Sequence, residues 1–140
     1  MKNCVFCKIA KGEENSWVVY EDNKVKAFFD ANPASEGHTL IIPKYHYKDI
    51  YEIPEDVLKR IIIVAKKLAI KYKNSLNVDD VNIMHASGVN AQQSVFHFHI
   101  HLVPRKKKDG LNLWYKVKKD IIPNFDKTLK KILKTKNDKI

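Results

Sequence analysis

Three histidines recur at every second position in the last third of the chain, at His97, His99 and His101. Alternate residues of an extended strand face the same side, so the three imidazoles would form a row with neighbours about 6.6 Å apart. On a helix the same residues would spread around the axis. A row of imidazoles can supply a nucleophile, hydrogen-bond donors or metal ligands. The row alone leaves nucleophilic catalysis and a pure metal site open, because two alternating strand histidines can hold one ion.

Apolar residues alternate with these histidines, at Phe96, Phe98, Ile100 and Leu102. The pattern predicts a strand over residues 94–104 with one face against a core. The histidine face would then look outward or into a cleft.

The chain's two cysteines, Cys4 and Cys7, are spaced C-x-x-C close to the N-terminus. The residues before them lack the apolar stretch of a signal peptide, so we expect a cytoplasmic protein. In such a chain the pair indicates metal or redox chemistry rather than a structural disulfide. A reduced thiol pair without metal is the alternative.

Further strands and helices must position these groups. Residues 17–20, 25–29, 38–42 and 81–84 have the apolar, β-branched and aromatic character of strands. A short N-terminal helix is expected to stop at Gly12, and a long one follows Pro54. This order predicts an α+β fold with an antiparallel sheet of about five strands, one long helix and an extra C-terminal helix.

Helical periodicity is clearest after Pro54, where apolar residues recur at steps of three and four. They are Val57, Leu58, Ile61, Ile62, Ala65, Leu68, Ala69 and Tyr72. A last amphipathic helix is predicted to begin near Pro123. Its expected inner side holds Phe125, Leu129, Ile132 and Leu133.

Length and charge indicate a single-domain protein and argue against a membrane span or a nucleic-acid site. The 140 residues suit one domain over the whole chain, with a helical extension from about residue 116 to 140. No apolar run reaches the roughly 20 residues of a membrane span. The net charge is +10, but only Arg60 and Arg105 are arginines. Scattered lysines favour a solvated face over a nucleic-acid site, which usually needs arginine forks and stacking aromatics.

The chain resembles the histidine triad (HIT) superfamily over roughly residues 4–115. The most specific segment is HFHIHLV at residues 97–103, and other segments follow the family's order. These are CVFCKI at 4–9, AFFDANP at 27–33, GHTLIIPKYH at 37–46, and Gly88 followed by QSVF at 93–96. The C-x-x-C pair and Pro104-Arg105 look most like a small microbial, zinc-containing branch.

The resemblance implies an enzyme that cleaves a nucleotide at its α-phosphate. His99 matches the nucleophile, which would form a nucleotidyl-histidine that water then cleaves. His101 matches a residue that hydrogen-bonds the phosphate and assists the leaving group. Ser94 matches a hydroxyl near the leaving group, and His38 a histidine beside the triad. The branch includes nucleoside phosphoramidases and dinucleoside polyphosphate hydrolases.

The resemblance also implies a nucleotide pocket. Asp30 matches the carboxylate that accepts hydrogen bonds from ribose hydroxyls, although an Asp here also suits a turn. Backbone amides around Gln93 to Val95 would lie beside the phosphate. A flat apolar slot favours a purine. The slot residues are Val5, Phe6, Ile9 and Phe28, each of which ordinary core packing would equally explain.

A structural zinc ion and a homodimer are further implications of the resemblance. Cys4, Cys7, His46 and His97 match the four zinc ligands of the C-x-x-C branch, a closed Cys₂His₂ set. The helix after Pro54 and the fourth strand would pair with their copies across a two-fold axis. The last helix lies outside the resemblance, and either covers the cleft or extends the dimer interface.

Two positions depart from the family's pattern. Ala86 stands where members commonly carry an Asn or Gln whose amide reaches the phosphate or leaving group. Gln92 stands where a Gly is common. These departures motivate an alternative, a zinc-stabilised nucleotide-binding or regulatory module with little turnover. The basic charge motivates another, a nucleic-acid end-processing enzyme that uses the same histidine.

Overall fold

The computed structural model describes residues 4–116 and 123–134. Residues 1–3, and the parts of the expected C-terminal extension at 117–122 and 135–140, lie outside the described residues. The regular elements, in chain order, are helix α1 (Val5–Lys11), strands β1 (Val18–Glu21), β2 (Val25–Phe29) and β3 (Thr39–Pro43), helix α2 (Glu55–Ser75), strand β4 (Asp80–Met84), strand β5 (Ile100–Arg105) and helix α3 (Phe125–Lys134).

The five strands form one antiparallel sheet in the order β1-β2-β3-β5-β4. The first three strands follow one another as a meander, and β5 then inserts between β3 and β4. The antiparallel α+β prediction is therefore confirmed. The inserted position matters for the site, because it places the histidine segment in the middle of the sheet.

Helix α2 covers one face of the sheet and encloses the main core. Its apolar stripe packs on inward residues of β2, β3 and β5, including Ile41 and Leu102, and on Phe98 just before β5. Val64 belongs to the buried stripe, whereas Ile62 of the predicted stripe is 46% exposed. Burying large aliphatic and aromatic side chains in this way stabilises a fold by roughly 1.5–3 kcal/mol each.

Helix α1 lies on the opposite face and forms a second apolar cluster with β2 and β3. Phe6, Ile9 and Ala10 are its buried residues. Cys4 caps the N-terminus, where its sulfur accepts the backbone N–H of Cys7 at 3.4 Å. Gly12 ends the helix in the left-handed region at φ 78°, as expected.

The predicted fifth strand is too long. Regular pairing begins at Ile100, not at residue 94, because the backbone turns before it. The amide of His97 bonds the carbonyl of Val95 two residues back, at 2.8 Å, and the amide of Phe98 bonds the carbonyl of Tyr47 at 2.6 Å. His97 and His99 therefore lie on an irregular segment that leads into β5, and only His101 lies within the strand.

The expected inner side of the last helix is also wrong. The four apolar residues Phe125, Leu129, Ile132 and Leu133 are all exposed in α3. The face that the sequence marks as apolar is real, but no part of the described chain covers it. Within the described residues, none of the helices has the combined length and apolar character that crossing a bilayer requires.

Candidate active site

A cavity of about 300 Å³ lies between α1 and the sheet. Its walls combine the apolar side of α1 with the end of β2, the loop before residue 97 and the histidine segment. Of the residues predicted from sequence, the cavity is lined by Val5, Phe6, Ile9, Phe28, Asp30, Ser94, Val95, His99 and His101. Segments distant in sequence thus meet around one space.

His99 lies at this cavity with its ring orientation set by the backbone. Its Nδ1 is 2.7 Å from the carbonyl oxygen of His97, and a carbonyl can only accept, so Nδ1 carries the proton. Nε2 of the neutral ring then keeps its lone pair. The Phe6 ring packs edge-to-face on His99, with 5.3 Å between ring centroids. This arrangement leaves one nitrogen free for nucleophilic attack.

Burial keeps His99 neutral. The residue is only 2% exposed, and removal from water lowers the pKa of His99, although the hydrogen bond to His97 partly opposes this. A lowered pKa means that the unprotonated ring is populated even below the usual range of histidine. Only that form has a lone pair to donate.

A second chain of hydrogen bonds assigns the protons of His38 and His101. The backbone N–H of Ala34 donates to Nδ1 of His38 at 3.0 Å, so the proton of His38 is on Nε2. That Nε2 donates to Nδ1 of His101 at 2.9 Å, which leaves the proton of His101 on its own Nε2. His101 can therefore offer an N–H donor to a phosphate oxygen in the cavity.

Asp30 both lines the cavity and forms a turn. Its Oδ1 accepts the backbone N–H of Asn32 at 2.9 Å, and its Oδ2 lies 3.6 Å from Nε2 of His38. The turn role and the cavity role therefore coexist, since each carboxylate oxygen has two lone pairs.

Two cysteines and two histidines converge beside the triad. The sulfur of Cys7 lies 3.3 Å from Nδ1 of His46 and 3.5 Å from Nδ1 of His97, and the sulfur of Cys4 lies 3.4 Å from Nδ1 of His97. Nε2 of His97 donates to the carbonyl of Pro43 at 2.9 Å, so its Nδ1 has a free lone pair. Around tetrahedral zinc, sulfur and nitrogen ligands are about 3.5 Å apart.

The Cys7 thiol stays protonated when no cation is bound beside it. Burial, followed by the neighbouring Cys4, raises the pKa of the Cys7 thiol to about 11. A bound divalent ion would reverse this, because it deprotonates the thiols that coordinate it. The donor set Cys4, Cys7, His46 and His97 thus fits zinc in both geometry and chemistry.

Asp30, His38 and His101 also bring ligand atoms within 4.8 Å of one another. Their hydrogen bonds oppose metal binding, however. Nδ1 of His38 is occupied as the acceptor of the Ala34 N–H, so Nε2 carries a proton where a metal would need a lone pair. This group is better described as a proton-ordered hydrogen-bond chain.

Gln93 does not bring its side chain to the cavity. The buried amide accepts from the backbone N–H of Gly88 at 2.7 Å and donates to the carbonyls of Lys48 and Val95 at 2.7 and 3.1 Å. A buried amide must satisfy these groups, so Gln93 braces the loop instead. Its neighbours Ser94 and Val95 do line the cavity.

The two departures from the family's pattern have different outcomes. Gln92 adopts the left-handed conformation at φ 66°, which explains why glycine suits this position. Ala86 is not among the residues that line the cavity. Its neighbours His85 and Ser87 do not line it either, and they bond each other at 2.6 Å.

Sequence reasoning missed part of the cavity wall. Trp17 is 71% exposed at the cavity, where Phe29 and Leu40 also contribute. The backbone N–H of Phe29 bonds the carbonyl of Trp17 at 3.0 Å, which carries the strand pairing out to the cavity. A lone tryptophan before a strand gives no sequence signal for such a place, because aromatic residues are common in strands generally.

Comparison with known proteins agrees with this geometry. A model of the HIT domain family matches residues 11–108. The chain is 36% identical to adenosine 5'-monophosphoramidase of Saccharomyces cerevisiae over 93% of this chain and 80% of that protein. The crystal structure of a HIT family member from Bacillus subtilis superposes with a TM-score of 0.84 at 34% identity, covering 99% of each chain. A zinc-bound histidine triad protein from Mycobacterium smegmatis gives a TM-score of 0.77 at 35% identity, covering 80% of this chain and 81% of that one.

Titration of His101 is expected to make the free energy of unfolding depend on pH. Burial, followed by neighbouring His99 and His38, lowers the pKa of His101 to about 4. The unfolded chain binds this proton at about pH 6.5, so stability from His101 is complete above that value and is lost as the pH falls towards 4. As the pH falls from about 7 to about 4.5, the free energy of unfolding should decrease by about 1–2 kcal/mol more in wild type than in His101→Gln. This range includes a reduction for solvent screening, because the His101 side chain is partly exposed.

Urea unfolding of both proteins at several pH values measures this difference. The other histidines are present in both proteins, so the difference reports His101 together with its coupling to His38 and His99. Parallel losses of stability in wild type and His101→Gln would contradict the prediction.

Proposed function

The chain belongs to the HIT domain family, and from this premise we propose that it is a hydrolase that cleaves a nucleotide at the α-phosphate through a covalent intermediate on His99. The observation that carries the proposal is the state of His99. Its Nδ1–H is bound to the carbonyl of His97, and its Nε2 is free at a cavity with an apolar slot.

In the proposed reaction, the lone pair of His99 Nε2 forms a bond to the α-phosphorus. The bond from phosphorus to the leaving group breaks, and the leaving group departs with that electron pair, taking a proton from solvent if it is an amine. Water then forms a bond to phosphorus and releases a proton, and the phosphorus–nitrogen bond breaks, which returns the lone pair to Nε2. One difficult displacement becomes two easier ones.

The neighbouring groups would stabilise charge rather than react. The Nε2–H of His101 donates to a phosphate oxygen as negative charge develops there, and His38 holds this proton arrangement. Ser94 supplies a hydroxyl on the leaving-group side, and the backbone amides of Ser94 and Val95 lie along the same loop, whereas the amide of Gln93 already donates to the carbonyl of Gly88 at 3.1 Å. The Nδ1–H to His97 bond would persist while His99 carries the positive charge of the intermediate.

The substrate is proposed to be a purine nucleotide. Phe6 and Phe28 pack edge-to-face with 5.7 Å between ring centroids, and Val5 and Ile9 complete an apolar wall. A flat slot of this kind buries more of a purine than of a pyrimidine. Asp30, at the polar side of the same cavity, suits the ribose hydroxyls.

A structural zinc ion is proposed at Cys4, Cys7, His46 and His97. Zinc there would tie the start of α1 to the loop after β3 and to the histidine segment, and so would hold α1, which supplies the apolar wall of the slot, against His99. Because its ligands are thiolates, we propose that the protein acts in the reducing cytoplasm. Recovery of the native protein from a secreted fraction would contradict that location.

A homodimer is also proposed, because an edge of the sheet exposes apolar residues. On the edge strand β4, Val81, Ile83 and Met84 are exposed, as are Ile63 and Ile70 on α2. An uncovered apolar edge strand invites pairing, and a second copy would cover it.

Intact mass spectrometry after rapid quenching tests the nucleophile. With adenosine phosphoramidate or a diadenosine polyphosphate, we expect wild type and His101→Gln to gain one adenylyl group. His101→Gln should react more slowly, because the glutamine amide replaces only part of the histidine's donor function. His99→Ala should gain none. An adduct that persists in His99→Ala, or its absence from both other proteins despite nucleotide binding, would refute the proposed mechanism.

The same assay with matched cytidine and adenosine phosphoramidates tests the base preference. We expect kcat/KM to favour adenosine at least about tenfold, because the larger ring buries more apolar surface. Equal values for the two substrates would remove the purine proposal.

Metal analysis tests the zinc site. We expect one zinc per chain in wild type and in Lys8→Ala, which changes an exposed residue of α1, but much less in Cys7→Ser. Zinc removal should lower the free energy of unfolding by at least about 2 kcal/mol, since binding energy at a structural site contributes to folding. Metal-free protein with unchanged stability would contradict a structural role.

Analytical ultracentrifugation tests the dimer. Wild type should sediment as two chains of 16.3 kDa. Ile83→Asp, which places a charge on the exposed edge strand β4, should shift the protein towards monomer. Val18→Asp is the matched control, because Val18 is equally exposed on the opposite edge strand β1. A monomeric wild type would overturn the proposal.

A further inference from the structure

His85 bonds the backbone of the nucleophile residue from outside the cavity. The ladder between β4 and β5 ends with the pair Met84 and His101. Beyond that pair, Nδ1 of His85 lies 2.7 Å from the carbonyl oxygen of His99. A side chain thus supplies the hydrogen bond at the place where regular pairing stops.

The proton on His85 Nδ1 is assigned by its surroundings. The His99 carbonyl can only accept, so Nδ1 must donate and Nε2 of the neutral ring must accept. The hydroxyl of Ser87 lies 2.6 Å from that Nε2 and donates to it. Ser87 in turn accepts the backbone N–H of Ile50 at 2.9 Å. A relay from backbone amide to hydroxyl to imidazole therefore ends on the carbonyl of the nucleophile residue.

Packing fixes the plane of the same ring. His85 stacks on Phe98, with 4.3 Å between ring centroids and 30° between ring planes. Phe98 is itself fully buried in the core beneath α2. The donor nitrogen is therefore held by the core on one side and by the relay on the other.

We propose that His85 is a positioning residue for His99 in the reaction proposed above, on which this inference rests. The carbonyl that His85 binds belongs to the peptide after His99, so its orientation helps to set the backbone from which the imidazole projects. The His97 carbonyl holds the ring at Nδ1, and His85 holds the main chain behind it. Together they place Nε2 where the phosphorus must approach, and small displacements at such a point are costly in rate.

Two substitutions separate the two nitrogens of His85. In His85→Asn, the amide nitrogen lies two bonds from Cβ, as Nδ1 does, so the donor to the His99 carbonyl is kept. In His85→Gln, the amide lies three bonds from Cβ, as Nε2 does, so contact with Ser87 is kept and the donor to His99 is lost. The two variants are similar in polarity, and both lose the stacking on Phe98.

Single-turnover kinetics with adenosine phosphoramidate is the test. We expect His85→Gln to lower the rate of adduct formation and kcat by about tenfold, with KM within about twofold of wild type, because Asp30 and the apolar slot are untouched. His85→Asn should recover most of the rate. Equal rates in Gln, Asn and wild type would overturn the proposal. So would equal losses in both variants that follow their thermal midpoints, since that is the result of a merely structural role.

Ser87→Ala provides a second perturbation should His85→Gln fail to fold. It leaves His85 in place but removes the hydroxyl that fixes its tautomer, and we expect kcat to fall about twofold to threefold. An unchanged kcat in Ser87→Ala would count against the relay.

Crystal structures of the variants test, independently of activity, whether His85 positions His99. If His85 positions the nucleophile, the His99 ring should shift or lose order in His85→Gln and keep its wild-type place in His85→Asn. An unmoved His99 in both would overturn positioning. Absence of any adduct in wild type would instead refute the hydrolase proposal, and the two failures are therefore distinguishable.

Discussion

Burial of the histidine segment is the constraint on which the site depends. An imidazole removed from water needs hydrogen-bond partners, because an unpaired buried polar group costs roughly 1–3 kcal/mol. In His99 this need is met at Nδ1, while Nε2 is left without a partner at the cavity in the described part of the chain. Here most of the hydrogen-bond partners of the rings are main-chain groups. The carbonyls of Pro43, His97 and His99 accept hydrogen bonds from the rings of His97, His99 and His85, respectively, and the Ala34 amide donates to His38. Each ring therefore has one tautomer, and the tautomer decides whether the remaining nitrogen offers a lone pair or an N–H donor.

The three histidines of the triad offer different groups to their surroundings. His97 has a lone pair facing the thiols, His99 has one facing the cavity, and His101 has a proton to offer there. The segment from His97 to His101 thus contributes to both the proposed metal site and the proposed reaction site, with a different histidine nitrogen for each role. Helix α1 links the two, because Cys7 belongs to the ligand set while Phe6 and Ile9 form the apolar wall. A zinc ion bound by Cys4 and Cys7 would therefore hold Phe6, which lies between them in sequence, against the proposed nucleophile His99.

The sequence predicted what depends on residue type and spacing. Alternation of histidine with Phe98, Ile100 and Leu102 predicted a strand, which is correct for His101, and the C-x-x-C spacing indicated metal or redox chemistry. The start of β5 could not be predicted, because the turn at residues 95–98 is made by contact with the Tyr47 carbonyl, far away in sequence. Long-range contacts also decided that Gln93 braces the loop instead of facing the cavity.

The histidine tautomers and the role of His85 could not be predicted from the sequence. His85 does not line the cavity, and nothing in the sequence gives a reason to expect its bond to the His99 carbonyl. The apolar stripe of α3 shows the opposite limit. Periodicity identified the stripe correctly, yet it could not say whether the chain itself covers Leu129 and Ile132, and the described chain leaves them exposed.

Long-range ¹H–¹⁵N NMR of the histidine rings near neutral pH tests the central claim most directly, since it reports which ring nitrogen carries each proton. We expect a neutral His99 with its proton on Nδ1 and a bare Nε2, and a neutral His101 with its proton on Nε2. A His99 protonated on Nε2, or doubly protonated at pH 7, would contradict it, because the nitrogen assigned to attack would then have no lone pair.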